Sequence, residues 1–157
     1  MLEQLKMFAS YARGLSSFLK SPMSPSECRS LLESQLASRG ENFLAIMRKA
    51  VYENPKSPYL PLLRLAGVEY GDLSRMVSES GVEGALDRLY ESGVYITLDE
   101  FKRRVPIKRP GLEIETGPHD FDNPFLSKHY QSRTSGSRGG GTRVIMDLDL
   151  LHHDAAC

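Results

Sequence analysis

Nine consecutive residues, Thr134, Ser135, Gly136, Ser137, Arg138, Gly139, Gly140, Gly141 and Thr142, combine the three properties that phosphate binding asks of a loop. Glycine lets the backbone turn sharply and brings its N–H groups close to phosphate oxygens. The hydroxyls of Thr134, Ser135, Ser137 and Thr142 add adjustable donors. Arg133, Arg138 and Arg143 supply positive charge, and no acidic residue stands between Lys128 and Asp147. Guanidinium groups bind phosphate bidentately, so this local excess suits a polyphosphate. A Walker A loop is excluded, because Thr142-Arg143 follows Gly141 where Lys and Ser/Thr are required. The Gly-x-Gly-x-x-Gly fingerprint of dinucleotide sites does not fit either. On composition alone, a flexible exposed hairpin loop accounts for the same residues.

Other side chains invite chemistry less strongly. His152-His153-Asp154 offers metal-ligand types, yet adjacent helical residues point about 100° apart, which favours a solvated helix face. His119-Asp120 lies among Gly, Pro and Asn, where turn formation explains it. Cys28 falls on the apolar side of a helix and suits a small core residue. Lys102-Arg103-Arg104 and Lys108-Arg109 form a basic segment interrupted by Val105-Pro106-Ile107. Lacking interleaved aromatics, it fits a solvated strand edge better than a nucleic-acid site.

The elements that position the loop follow from periodicity. Up to about residue 93 the apolar residues recur at helical spacing; beyond it, short β-prone runs are separated by Pro and Gly. Leu2, Leu5, Phe8, Ala9, Ala12, Leu15, Phe18 and Leu19 predict one face of a first helix. Ser24-Pro25-Ser26-Glu27 is a capping box with proline at the first helical position, opening a second helix that ends near Gly40. A third spans Phe43 to Val51 and stops at Asn54-Pro55. Short helices follow after Pro58, around Leu73 and around Leu86, with Gly81 and Gly93 at the expected C-terminal caps. Thr97-Leu98-Asp99-Glu100 is another capping box. Val94-Tyr95-Ile96, residues 112–116, 129–135 and 143–148 are strand candidates, the last two flanking the loop. A helix begins near Leu148, so a strand–loop–strand–helix unit is started and its sheet is left unfinished.

Bulk properties set the frame. The 157 residues suffice for a hydrophobic core, and 20 Lys+Arg balance 20 Asp+Glu. Zero net charge offers no whole-chain attraction for nucleic acid or an anionic membrane. Two cysteines, Cys28 and Cys157, do not make a disulfide framework, which points to a reducing compartment. No run approaches the ~20 apolar residues of a membrane span, and no secretory signal is visible, so a soluble cytoplasmic protein is expected.

The loop resembles the phosphate loop of the adenylate-forming superfamily, whose pattern runs Ser/Thr-Ser/Thr-Gly-Ser/Thr-Ser/Thr-Gly-x-Pro/Gly-Lys/Thr. The lead-in from Gly93 to Lys102, followed by Val105-Pro106-Ile107, is similar to the phenylacetate-CoA ligase and acyl-protein synthetase branch. The resemblance covers residues 58–157 and departs from the pattern at Arg138 and Gly140. It implies an α+β fragment: a helical N-terminal subdomain, residues 1–93, followed by the first strands of a larger α/β ligase domain, residues 94–157. The implied enzyme attacks the α-phosphate of Mg-ATP with a carboxylic acid, forms an acyl-adenylate and passes the acyl group to a thiol, CoA or a carrier protein. Residues 134–142 then hold the β- and γ-phosphates. The family's magnesium ligand and catalytic lysine have no counterpart in these residues, so the chain by itself is expected to be catalytically incomplete. The alternative is a non-catalytic helical interaction module with a flexible Gly-rich loop.

Overall fold

The structure, a computed structural model, is α+β and describes residues 2–20, 24–126, 130–133, 143–148 and 150–151. Two compact units emerge: Ala37–Pro124, and Met1–Leu36 together with Phe125–Cys157.

Within Ala37–Pro124, helix α3 (Arg39–Met47) runs into a π-helical turn at Arg48–Tyr52, closed by the Glu53 N–H on the Arg48 carbonyl at 2.8 Å. Helix α4 (Tyr59–Leu65) buries Leu60, Leu62 and Leu63. Helix α5 (Tyr70–Glu91) starts at a capping box between Glu69 and Asp72, and it buries Leu73, Val77, Val82, Ala85 and Leu89. The step from Val77 to Val82 is one residue too long for an unbroken helical stripe. Gly81, at φ 71° and ψ −177°, absorbs that extra residue in a kink, so the two expected short helices are joined end to end. Leu63, Leu73, Ala85 and Ile107 are fully enclosed at the centre of the core.

Helix α6 (Leu98–Phe101) has the expected capping box: the Glu100 N–H donates to Thr97 Oγ1, and the Thr97 N–H donates to Glu100 Oε2. Strands β1 (Ile107–Arg109) and β2 (Leu112–Ile114) pair antiparallel, with Arg109 opposite Leu112 across Pro110-Gly111. Proline followed by glycine at φ 76° is the chemistry of a type II turn. Val94-Tyr95-Ile96 joins no ladder. The Val94 N–H bonds the Leu89 carbonyl, and the Tyr95 carbonyl accepts from the Arg109 guanidinium, so a helix end and a side chain replace strand pairing.

In the other unit, α1 (Leu2–Lys20) is followed by α2 (Pro25–Ala37), whose entry is the predicted box: the Ser24 N–H donates to Glu27 Oε2 at 2.7 Å. Strands β3 (Tyr130–Arg133) and β4 (Arg143–Met146) form an antiparallel hairpin. On α1 the half-buried row is Met7, Tyr11, Gly14, Leu15 and Phe18, whereas Leu5, Phe8, Ala9, Ala12 and Leu19 are exposed. The inner face is thus rotated from the expected stripe. Tyr11 lies on that inner face, its ring tilted against that of Tyr130 of β3 with centroids 5.6 Å apart. Among the described residues no helix is long and apolar enough to cross a membrane.

Candidate functional site

Thr134, Ser135, Gly136, Ser137, Arg138, Gly139, Gly140, Gly141 and Thr142 lie outside the described residues. Their anchors are described. The β3–β4 register pairs Tyr130 with Met146, Gln131 with Ile145, Ser132 with Val144 and Arg133 with Arg143. The pair nearest residues 134–142 is thus Arg133 and Arg143, matched in backbone register.

The other end of β4 is held by Asp147, which is 4% exposed. Its Oδ1 accepts the Leu150 N–H at 3.2 Å and its carbonyl accepts the Leu151 N–H at 3.0 Å. Helical backbone begins at Leu148 and includes Leu150 and Leu151. Asp147 therefore caps this turn and ends the strand, because a side chain that takes N-terminal N–H groups favours helix over ladder. Strand, strand and helical turn thus follow in the expected order, with residues 134–142 between the strands outside the described residues.

The remaining candidates separate. His152-His153-Asp154 lies outside the described residues. Among the described residues no three His, Cys, Asp or Glu side chains cluster in a way that would hold a metal ion. The His119-Asp120 segment behaves as turn chemistry: the Gly117 N–H donates to Asp120 Oδ2 at 2.7 Å, and His119 Nδ1 is 3.2 Å from Asp122 Oδ2. Cys28 is a free, half-buried thiol on α2.

One cluster escapes sequence reasoning. Arg109 donates to Glu100 Oε1 at 2.8 Å, to the Gly93 carbonyl at 3.1 Å and to the Tyr95 carbonyl at 2.5 Å. Its guanidinium also lies 4.1 Å from the centroid of the Tyr95 ring. Burial raises the Glu100 pKa, but hydrogen bonds from Arg109 and from the Thr97 backbone outweigh it and hold the carboxyl at about 2. The basic segment expected to be a plain solvated edge thus contains a buried ion pair that fixes α6 to β1. Only the Thr97–Glu100 spacing hints at it in the sequence.

A second polar cluster surrounds the π-helical turn. The Tyr52 hydroxyl donates to the Val68 carbonyl at 3.1 Å, its ring meets Tyr70 edge-on at 5.5 Å, and Arg48 lies 5.1 Å from the Tyr70 centroid. Burial, then the charges of Asp72 and Glu69, push the Tyr52 hydroxyl up to about 12. Near neutral pH the hydroxyl is protonated, and its hydrogen bond ties the π-helical turn to Val68.

Comparison of the chain with known protein families, with curated proteins and with solved structures found no match.

Proposed function

We propose that β3, residues 134–142 and β4 form the phosphate-gripping hairpin of an AMP-forming ligase that activates a carboxylic acid and transfers it to a thiol. What supports this reading is the backbone pairing of Arg133 with Arg143, which brings arginine positions to both ends of a Gly/Ser/Thr segment containing a further arginine. The donor set suits ATP. Backbone N–H groups of Gly136, Gly139, Gly140 and Gly141 and hydroxyls of Thr134, Ser135, Ser137 and Thr142 would hold the β- and γ-phosphates. Arg138, where the family often has Ser or Thr, adds charge to the same loop. Preorganised donors stabilise developing negative charge without reorganising, which is how such a loop would assist departure of pyrophosphate. Magnesium would neutralise the bound triphosphate, and its acidic ligand is not assigned to any residue of this chain. The acceptor is CoA or a carrier protein thiol in a cytoplasmic enzyme, and the chain by itself binds nucleotide without turning it over.

Isothermal titration of the chain with ATP and with inorganic pyrophosphate tests the proposal. Saturable binding is expected, weakened about tenfold or more by Arg143→Gln, as for loss of a charge-assisted phosphate contact. Absence of binding to both ligands refutes it. That result would favour a non-catalytic interaction module, for which the exposed Leu5, Phe8 and Leu19 of α1 speak. A longer protein carrying this sequence should catalyse carboxylate-dependent exchange between pyrophosphate and ATP.

A further inference from the structure

Three helices of the Ala37–Pro124 unit end in the same hydrogen-bond pattern, and one of them breaks its residue rule. After α4 the Gly67 N–H bonds the Arg64 carbonyl and the Val68 N–H bonds the Leu63 carbonyl. After α5, Gly93 and Val94 repeat this on Tyr90 and Leu89. After α6, Arg103 and Arg104 repeat it on Glu100 and Asp99. This is the Schellman arrangement, in which the residue past the cap takes left-handed backbone and the next one makes a local contact. Gly67 and Gly93 adopt the left-handed conformation without penalty, and Val68 and Val94 are buried. At the third end, Arg103 occupies the glycine position at φ 56°, the only non-glycine residue with positive φ among the described residues. Arg104 takes the contact position and pairs with Asp99 at 2.8 Å instead of entering the core.

Charge around this end is unbalanced in a specific way. Residues 97–113 contain five cations, Lys102, Arg103, Arg104, Lys108 and Arg109, and three acids, Asp99, Glu100 and Glu113. Each acid already has a partner: Arg104, Arg109 and Lys108 respectively. Among the described residues that leaves Lys102 and Arg103 without an acidic partner, both exposed. Close to them along the chain are exposed apolar side chains, with Leu98 at 64%, Phe101 at 45% and Val105 at 49% exposure. Leu98, Phe101 and Lys102 follow the spacing of one helical face. The platform beneath is rigid. The Thr97–Glu100 capping box and the buried Glu100–Arg109 pair hold α6, and Phe101 rests against the Phe121 ring at 5.1 Å.

We propose that Leu98, Phe101, Lys102, Arg103 and Val105 form a docking surface for an acidic, amphipathic segment of another protein. Charge complementarity selects that partner. Its apolar residues would cover Leu98, Phe101 and Val105, and its carboxylates would pair with the two unsatisfied cations. Because α6 is already fixed, docking would require little ordering on this side. Nucleic acid fits less well. Two unpaired cations release few counterions from a phosphate backbone, and the aliphatic side chains offer phosphates nothing. The described residues of the surface all lie within the Ala37–Pro124 unit.

Fluorescence anisotropy on the full chain tests this with a short labelled helical peptide carrying Glu on one side and Leu on the other. A counterpart with Lys replacing Glu, single-stranded oligothymidylate and phosphatidylserine-containing vesicles serve as competing probes. The acidic peptide should bind, the lysine counterpart should not, and added salt should weaken binding. Leu98→Ser should weaken it, and the double variant Lys102→Glu/Arg103→Glu should do so about tenfold or more. Arg103→Gly is the decisive variant. Glycine suits the left-handed position, so its thermal midpoint should equal or exceed the parent's while affinity falls about two- to fivefold, the value of one exposed ion pair. Equal affinity for the two peptides, no binding of the acidic one, or unchanged affinity in Arg103→Gly overturns the proposal. So does tighter binding of oligothymidylate or vesicles than of the acidic peptide.

Discussion

Replacing Glu100 by Gln probes the one buried ion pair that fixes α6 to β1. The Glu100 and Arg109 side chains retain only 7% and 10% of their exposure, and Glu100 is held at about 2 against an ordinary value of 4.5. At about 1.36 kcal/mol per tenfold change in proton affinity, that difference corresponds to at most about 3.4 kcal/mol of folding free energy. Discounted for solvent screening, about 2 kcal/mol is expected. The folded pKa lies below the unfolded one, so this stability is present above pH 4.5 and is lost as pH falls toward 2. Glu100→Gln removes the titration and leaves Arg109 without its counter-charge. Urea unfolding followed by far-UV circular dichroism, repeated from neutral pH down to about pH 2.5, measures both consequences. The variant should be about 2 kcal/mol less stable at pH 7, and the gap should close as the parent's carboxyl protonates. A gap that stays constant with pH, or none at neutral pH, refutes the electrostatic account of this cluster.

Two positions on α5 give a sharper test of backbone reasoning. Ala normally stabilises a helix relative to Gly by about 1 kcal/mol, yet a Cβ on Gly84 would lie 2.5 Å from the Ser80 Cβ, so Gly84→Ala should lower the urea midpoint. Gly81→Ala should also destabilise, by about 1–3 kcal/mol, because alanine is strained at φ 71° and ψ −177°. Tyr52, pushed up to about 12, should contribute an ionisation step well above pH 10 in an ultraviolet pH titration, and Tyr52→Phe should remove that contribution. Because the folded pKa is the higher one, its contribution is full below about pH 10 and lost as pH rises toward 12. Within the loop, Gly136→Val and Gly139→Val should weaken ATP binding in calorimetry by blocking close backbone approach to phosphate.

The helices were legible because their signals are local. The Ser24 and Thr97 capping boxes, proline entry to α2, and the Asn54-Pro55 stop each act within a few residues, and each is present. The strands flanking 134–142 were legible for the same reason. Properties that depend on distant partners were not. The face of α1 that turns inward meets Tyr130, more than a hundred residues away, and the apolar stripe by itself points elsewhere. Val94-Tyr95-Ile96 has strand composition, but Arg109 takes its carbonyl and no strand comes to pair with it.

For the proposed nucleotide hairpin, residue type and order were readable along the chain: glycines, hydroxyls and arginines between two β-prone runs. The tertiary structure decided the register, and register is what sets Arg133 opposite Arg143. For α6 the division is the same. Five cations and three acids are countable in the chain, but which two cations remain unpaired depends on which side chains the fold brings within reach. Periodicity and capping are properties of neighbours along the chain, whereas charge pairing is a property of neighbours in space.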